Sequence, residues 1–154
     1  MKRFVPLVIL CILVVSTLAC HKESEQEKVK NVITTAQKAA NEKDINKIIN
    51  SLSKTYNDPQ GNNYETIKGL LIAYFYQYPK ISIYIPNLDV SIEDGSAKAV
   101  FQAVLTGTGT NTSAPGILPE SLGVYAFEVL LKKESGDWKA VSAKWERVGD
   151  KGGS

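Results

Sequence analysis

Apolar positions along the chain follow a helical rhythm first and an alternating one afterwards. Val29, Val32, Ile33, Ala36, Ala39 and Ala40 fall on one face of a first helix, with Lys28, Lys30, Gln37 and Lys38 mostly on the other. The segment from Asn41 to Asp44 breaks this pattern. Asp44 can cap a second helix that buries Ile45, Ile48, Ile49 and Leu52, with Tyr56 continuing the face. Asn57-Asp58-Pro59-Gln60-Gly61 reads as a turn. Asn62 with Glu65 resembles a capping box for a third helix, whose apolar face is Ile67, Leu70, Leu71, Tyr74, Phe75 and Tyr78 and which Pro79 stops.

Past Pro79 the period becomes two. Ile81, Ile83 and Ile85 alternate with Ser82 and Tyr84, Pro86-Asn87 marks a bend or bulge, and Val90 and Ile92 carry the alternation to a Glu93-Asp94-Gly95 turn. Ala97, Ala99, Phe101, Ala103 and Leu105 form one face of the next strand. A Gly/Thr/Ser/Pro-rich connection from Gly107 to Gly123 is longer than a hairpin needs, so it is read as a lid or a plain mobile loop. Val124 to Lys133 is a strand with Tyr125, Phe127, Val129 and Leu131 on one side. Ser135-Gly136-Asp137 turns the chain into a last strand, Trp138 to Val148, with Val141, Ala143 and Trp145 on one face. Three helices followed by four to five strands give an α+β fold, with the helices packed on one face of an antiparallel sheet.

Composition changes the picture at the N-terminus. The 154 residues carry 18 Lys+Arg against 16 Asp+Glu. Two of those cations, Lys2 and Arg3, precede an uncharged run from Phe4 to Leu18 that is shorter than the ~20 residues of a transmembrane helix. That is the layout of a secretory signal, and without it the body is formally neutral. A neutral body with no dense Lys/Arg run argues against a nucleic-acid partner. Both cysteines, Cys11 and Cys20, lie at this end, as does the single histidine, His21. The rest of the chain therefore has no disulfide, no Cys nucleophile, no His general base and no His- or Cys-held metal, and it implies no cofactor. Gly107-Thr108-Gly109 lacks the following helix of a phosphate cradle.

Ser16-Thr17-Leu18-Ala19-Cys20 resembles a bacterial lipobox, with Thr17 where Leu is usual. The resemblance implies cleavage after Ala19 and lipidation of Cys20, and a multiply acylated Cys anchors stably. His21 in place of an Asp implies sorting to the outer membrane, facing the periplasm, or retention on the plasma membrane of a Gram-positive host. The expected organisation is a signal peptide over 1–19, lipidated Cys and polar tether over 20–28, a domain over 29–148 and a flexible tail over 149–154.

From about Ser24 to Val148 the chain resembles the nuclear transport factor 2-like superfamily, which includes SnoaL-like and ketosteroid-isomerase-like proteins. The resemblance rests on Ala39-Ala40-Asn41-Glu42-Lys43-Asp44-Ile45 as an interhelix corner, on Leu52 to Pro59 after the second helix, and on Gly136-Asp137-Trp138-Lys139-Ala140-Val141 opening the last strand. It implies a curved sheet wrapped around helices, a cone-shaped cavity, and possible homodimers through the sheet. Enzymes and non-catalytic binding proteins share this fold, so function must be argued from the site.

The residues offer few candidates for chemistry. Asp58 with Tyr56 is the best local pair for a carboxylate-based isomerase or dehydratase, since an Asp in a dry pocket can serve as general base; alternatively Asp58 closes an Asx-type turn. Glu128, mid-strand, is a second carboxylate, or a solvated outward one. Tyr74 and Tyr78 share a helix face and could line a cavity mouth, while Tyr76 projects elsewhere. Trp138 and Trp145, seven apart, are expected on opposite faces of their strand, one in the core and the other partly exposed, where it could belong to a ligand pocket or a dimer face. Tyr56, Asp58, Tyr74, Tyr78 and Trp145 are thus the ligand-binding candidates. With no tight acid/base cluster, the reading is a membrane-anchored domain that binds a small apolar molecule or a protein partner without catalysis. The alternatives are the enzyme just described and a structural or assembly role in the envelope.

Overall fold

The computed structural model describes residues 23–108 and 122–149. The signal segment, Cys20, most of the Gly107–Gly123 connection and the end of the tail lie outside the described residues. The elements run α1 (Glu25–Asn41), α2 (Ile45–Asn50), α3 (Tyr64–Gln77), β1 (Lys80–Tyr84), β2 (Leu88–Glu93), β3 (Ser96–Thr108), β4 (Val124–Glu134) and β5 (Asp137–Arg147). Among the described residues no helix is long and apolar enough to cross a membrane.

α1 starts earlier than its apolar stripe suggests. Ser24 caps it, with its hydroxyl accepting from the Glu27 amide and the Glu27 carboxylate accepting from the Ser24 amide, a complete capping box. Residues 25–28, which their polarity assigns to the tether, are therefore the helix's first turn. Asp44 caps α2 as expected, accepting from the Lys47 amide at 3.1 Å. For α3 the expectation is corrected: the cap is Asn63, accepting from the Thr66 amide at 3.0 Å, and Asn62 is turned inward to a different partner.

The sheet is antiparallel and five-stranded, in the order β1-β3-β4-β5, with β2 also paired to β3. β1 and β2 lie end to end along one edge of β3, from Lys80↔Thr108 to Tyr84↔Val104 and from Leu88↔Phe101 to Glu93↔Ser96. The Pro86-Asn87 bend between them lets an interrupted strand follow a continuous one. On the helix-facing side of β3 stand the small side chains of Ala97, Ala99 and Ala103, which allow close approach. α1 is bonded to the sheet edge as well. Gln37 Nε2 and Asn41 Nδ2 donate to the Ile83 carbonyl at 2.9 and 3.0 Å, and Asn41 Oδ1 accepts from the Ile83 amide at 2.6 Å.

Two apolar clusters fill the space between helices and sheet. One, around Val29, Ile33, Val129, Leu131, Trp138 and Ala140, sits at the N-terminal end of α1. The other, around Ala40, Tyr74, Phe75, Tyr78, Leu105 and Tyr125, sits at its C-terminal end. Leu131 is fully buried, and such a side chain contributes about 1.5–3 kcal/mol. The first end is also clamped electrostatically. The Glu25 carboxylate accepts from Lys133 Nζ at 2.7 Å, Lys28 Nζ at 2.9 Å and Trp138 Nε1 at 2.8 Å. Those bonds, Lys133 foremost, hold its pKa down at about 2.

β5 departs from the expected alternation. Leu130 pairs with Ser142 but Leu131 pairs with Ala140, so Val141 is an extra residue in a β-bulge. The bulge shifts the phase by one position. Trp138 and Ala140 on one side of it, and Ala143 and Trp145 on the other, all pack inward. The two tryptophans therefore share the core face instead of lying on opposite faces, and Val141 does not share a face with Ala143 and Trp145.

Candidate functional site

The bulge of β5 also places the segment that follows α2. The Ala140 amide donates to the Ser51 carbonyl, and the Ser53 amide donates to the Ala140 carbonyl, both at 2.8 Å. The Asn57 amide then donates to the carbonyl of the extra residue, Val141, at 3.1 Å. Tyr56 is thereby set under the sheet edge and Asp58 just beyond it.

Asp58 is buried at 4% exposure and its carboxylate is enclosed by donors. Oδ1 accepts from the Gln60 and Asn62 amides at 2.9 Å each, and Asn62 Nδ2 donates to Oδ1 at 3.2 Å and Oδ2 at 3.0 Å. The Tyr56 hydroxyl donates to Oδ2 at 3.1 Å. The backbone closes the same loop, with Gly61 donating to the Asp58 carbonyl and Asp58 to the Asn62 carbonyl, both at 3.0 Å. Gly61 takes φ +84, a left-handed conformation suited to glycine. This is an Asx turn tightened into a buried polar knot. Burial first, and then the Asp58 charge, push the Tyr56 hydroxyl well above its ordinary pKa. Tyr56 is thus a fixed neutral donor. A general base must reach the proton it takes, and Asp58 spends its lone pairs on its own turn.

The open space lies next to this knot. A cavity of about 270 Å³ runs beneath α1 and the sheet, between Ile33, Ala40, Leu52, Tyr56, Phe101 and Ala143. Another of about 210 Å³ separates α3 from the sheet, between Leu70, Leu71, Tyr74, Leu105, Tyr125 and Trp145. Ala40, Ile67, Ile83, Leu105, Phe127 and Trp145 line both, so the two adjoin. Phe127 forms their common wall, stacked on Phe101 at 5.2 Å and facing Trp145 at 6.4 Å.

The predicted site residues therefore divide. Tyr56, Tyr74 and Trp145 line this space, Tyr78 packs on Tyr74 at a ring separation of 4.7 Å, and Asp58 lines neither cavity. Glu128 lies on the outer sheet face, paired with Lys98 at 3.4 Å, which is the solvated alternative. Tyr76 points outward at 80% exposure. Among the described residues no group of three His, Cys, Asp or Glu side chains could hold a metal. Sequence reasoning missed Asn62, taken there as a helix cap; its place directly after a turn glycine is the signal that it could instead close the Asp58 loop.

No protein-family model matches the sequence, and no curated protein matches it. Solved structures do match by shape. A nuclear transport factor 2-like superfamily protein from Salmonella enterica serovar Typhimurium superposes with a TM-score of 0.67 at 11% identity, over 84% of this chain and 94% of that one. A proposed dehydratase of the nuclear transport factor 2-like family from Streptomyces avermitilis gives 0.66 at 11% identity, over 80% and 96%. Bd1075 from Bdellovibrio bacteriovorus gives 0.65 at 10% identity over 79% of this chain, which spans 40% of that protein. The fold is that of the nuclear transport factor 2-like proteins. In such a fold the space between the helices and the sheet's inner face is the natural place for a ligand. In this chain that space is apolar, and the one buried carboxylate near it among the described residues, Asp58, is turned away.

Proposed function

We propose that the protein is a bacterial lipoprotein, tethered through Cys20, whose nuclear transport factor 2-like domain binds a small apolar molecule without transforming it. The observation that carries the binding reading is the pair of adjoining apolar cavities between the helices and Phe101, Phe127 and Trp145. What favours binding over isomerase- or dehydratase-like chemistry is the state of Asp58, which is saturated by Tyr56, Gln60 and Asn62 and absent from the cavity wall. Apolar walls supply affinity through burial of hydrocarbon, at about 25 cal/mol per Å².

Ala40 lines both cavities, so Ala40→Phe fills them from the α1 side. The expected result is that an apolar small molecule is recovered by mass spectrometry from organic extracts of the purified native chain. Its yield falls at least ~10-fold for Ala40→Phe, while the variant unfolds within about 1–3 kcal/mol of the native protein. Equal yields from both would remove the cavities as the site.

The anchoring half rests on the lipobox-like residues before Cys20, and it places the domain on the periplasmic side of the outer membrane, or outside the plasma membrane of a Gram-positive host. Cys20→Ala is expected to abolish labelling by a fatty-acid analogue in cells; labelling that persists would refute the anchor.

A further inference from the structure

Tyr74 presents a hydroxyl with nothing to bond. The residue is 7% exposed, it lines the 210 Å³ cavity, and among the described residues its oxygen is the one buried hydroxyl without a hydrogen-bond partner. Buried polar groups in folded proteins are almost always satisfied, and an exception calls for a reason. Of the other polar side chains of the adjoining space, Gln37, Ser51 and Tyr56 are committed. Gln37 Nε2 donates to the Ile83 carbonyl at 2.9 Å, the Ser51 hydroxyl to the Ile48 carbonyl at 2.6 Å, and the Tyr56 hydroxyl to Asp58 at 3.1 Å.

We propose that the molecule bound between α3 and the sheet carries a neutral acceptor oxygen on a hydrocarbon body, and that Tyr74 donates a hydrogen bond to it. This rests on the apolar-binding reading above and narrows it to a ligand class: ketones, esters, ethers or alcohols. The acceptor is neutral because, among the described residues, the walls of this cavity hold no charged side chain, and an unpaired carboxylate there would be strongly disfavoured. The body is hydrocarbon because every other described wall residue apart from the tyrosines and Trp145 is aliphatic or Phe. The part beside Tyr74 is compact, since the space between α3 and the sheet is about 210 Å³.

Tyr74 is suited to the part. Its ring packs on Tyr78, and the backbone below is fixed by Lys43, whose Nζ donates to the Phe75 carbonyl at 3.1 Å and the Tyr78 carbonyl at 2.8 Å. Burial, and then the neighbouring Tyr78 and Tyr125, push its pKa well up, so it remains a proton donor at any working pH. Its oxygen is covered by packed neighbours, and ligand binding requires the Tyr74 ring to turn toward the cavity.

The test compares 2-octanone with octane on the full-length chain in lipid nanodiscs, with the tyrosine Cζ atoms isotopically labelled and read by NMR. Tyr74→Phe removes only the unpartnered hydroxyl, so the fold is retained. 2-Octanone is expected to bind the native chain ~10-fold more tightly than Tyr74→Phe, as a single neutral hydrogen bond provides. Octane binds both equally, and comparing native with variant cancels partition into lipid. The carbonyl stretch of bound 2-octanone is lowered in the native chain and returns in the variant. If 2-octanone binds both chains equally, with an unshifted stretch, this proposal fails while apolar binding stands. If neither compound saturates the Tyr74 signal of the native chain, the apolar-binding reading fails with it.

Discussion

Asp58→Ala is expected to cost about 3–5 kcal/mol of stability, among the largest effects of any single substitution here. The carboxylate accepts from the Tyr56 hydroxyl, from the Gln60 and Asn62 amides and from the Asn62 side chain. Removing it leaves those donors facing each other, with the Tyr56 and Asn62 groups in a site closed to water. An unsatisfied buried donor costs about 1–3 kcal/mol, and several are exposed at once. Asp58→Asn is the sharper variant. In either orientation its NH₂ stands against Asn62 Nδ2, so it too destabilises, by about 2 kcal/mol. Thermal unfolding followed by circular dichroism measures both. A catalytic Asp58 would behave differently: removing a working base commonly leaves stability unchanged or improved, because such sites store strain. An Asp58→Asn protein as stable as the native one would overturn the structural role.

Deleting Val141 is expected to weaken the domain by about 1–3 kcal/mol. With the extra residue gone, β5 alternates without interruption, and Trp138, Ala140, Ala143 and Trp145 keep their inward face, so the cost falls on the bulge itself. The Asn57 amide also loses its acceptor, the Val141 carbonyl, and with it the register of the Tyr56–Asp58 segment. Val141→Ala keeps the bulge and is expected to cost no more than about 1.5 kcal/mol. Thermal unfolding and tryptophan emission read the result: the deletion lowers the midpoint while both indoles stay inside and the emission stays in place. A deletion variant with native emission and unfolding midpoint would show that the bulge is dispensable.

The bulge also marks where sequence reading stops. Trp138 and Trp145 are seven apart, and strict alternation puts them on opposite faces. Nothing in Ala140-Val141-Ser142 signals an inserted residue, since no glycine or proline stands there. What fixes the bulge is partnership: Ser51, Ser53 and Asn57 bond along Ala140 and Val141, and those residues lie far back in the chain. Asn62 shows the same limit. An Asn before a helix is a good cap, but so is Asn63, and local preference does not choose between them. The choice falls to Asp58, which recruits Asn62 into the knot.

By itself the sequence determined the succession of three helices and then four to five strands, the Asp44 cap, and which side chains share a face on β3 and β4. Period and capping chemistry act within a few residues, so they are legible in one dimension. The density of tyrosines on α3 was equally plain, as was the lack of thiol and imidazole beyond His21. Tertiary structure alone decided that Asp58 closes a turn while Tyr56, Tyr74 and Trp145 line the cavities, and that Glu128 faces solvent. These outcomes depend on which distant backbone groups meet a side chain, and on which sheet face the helices cover. A carboxylate, a tyrosine or a tryptophan carries the same chemistry in either setting. Only the packed neighbours determine whether it is spent on the fold or left open to a ligand.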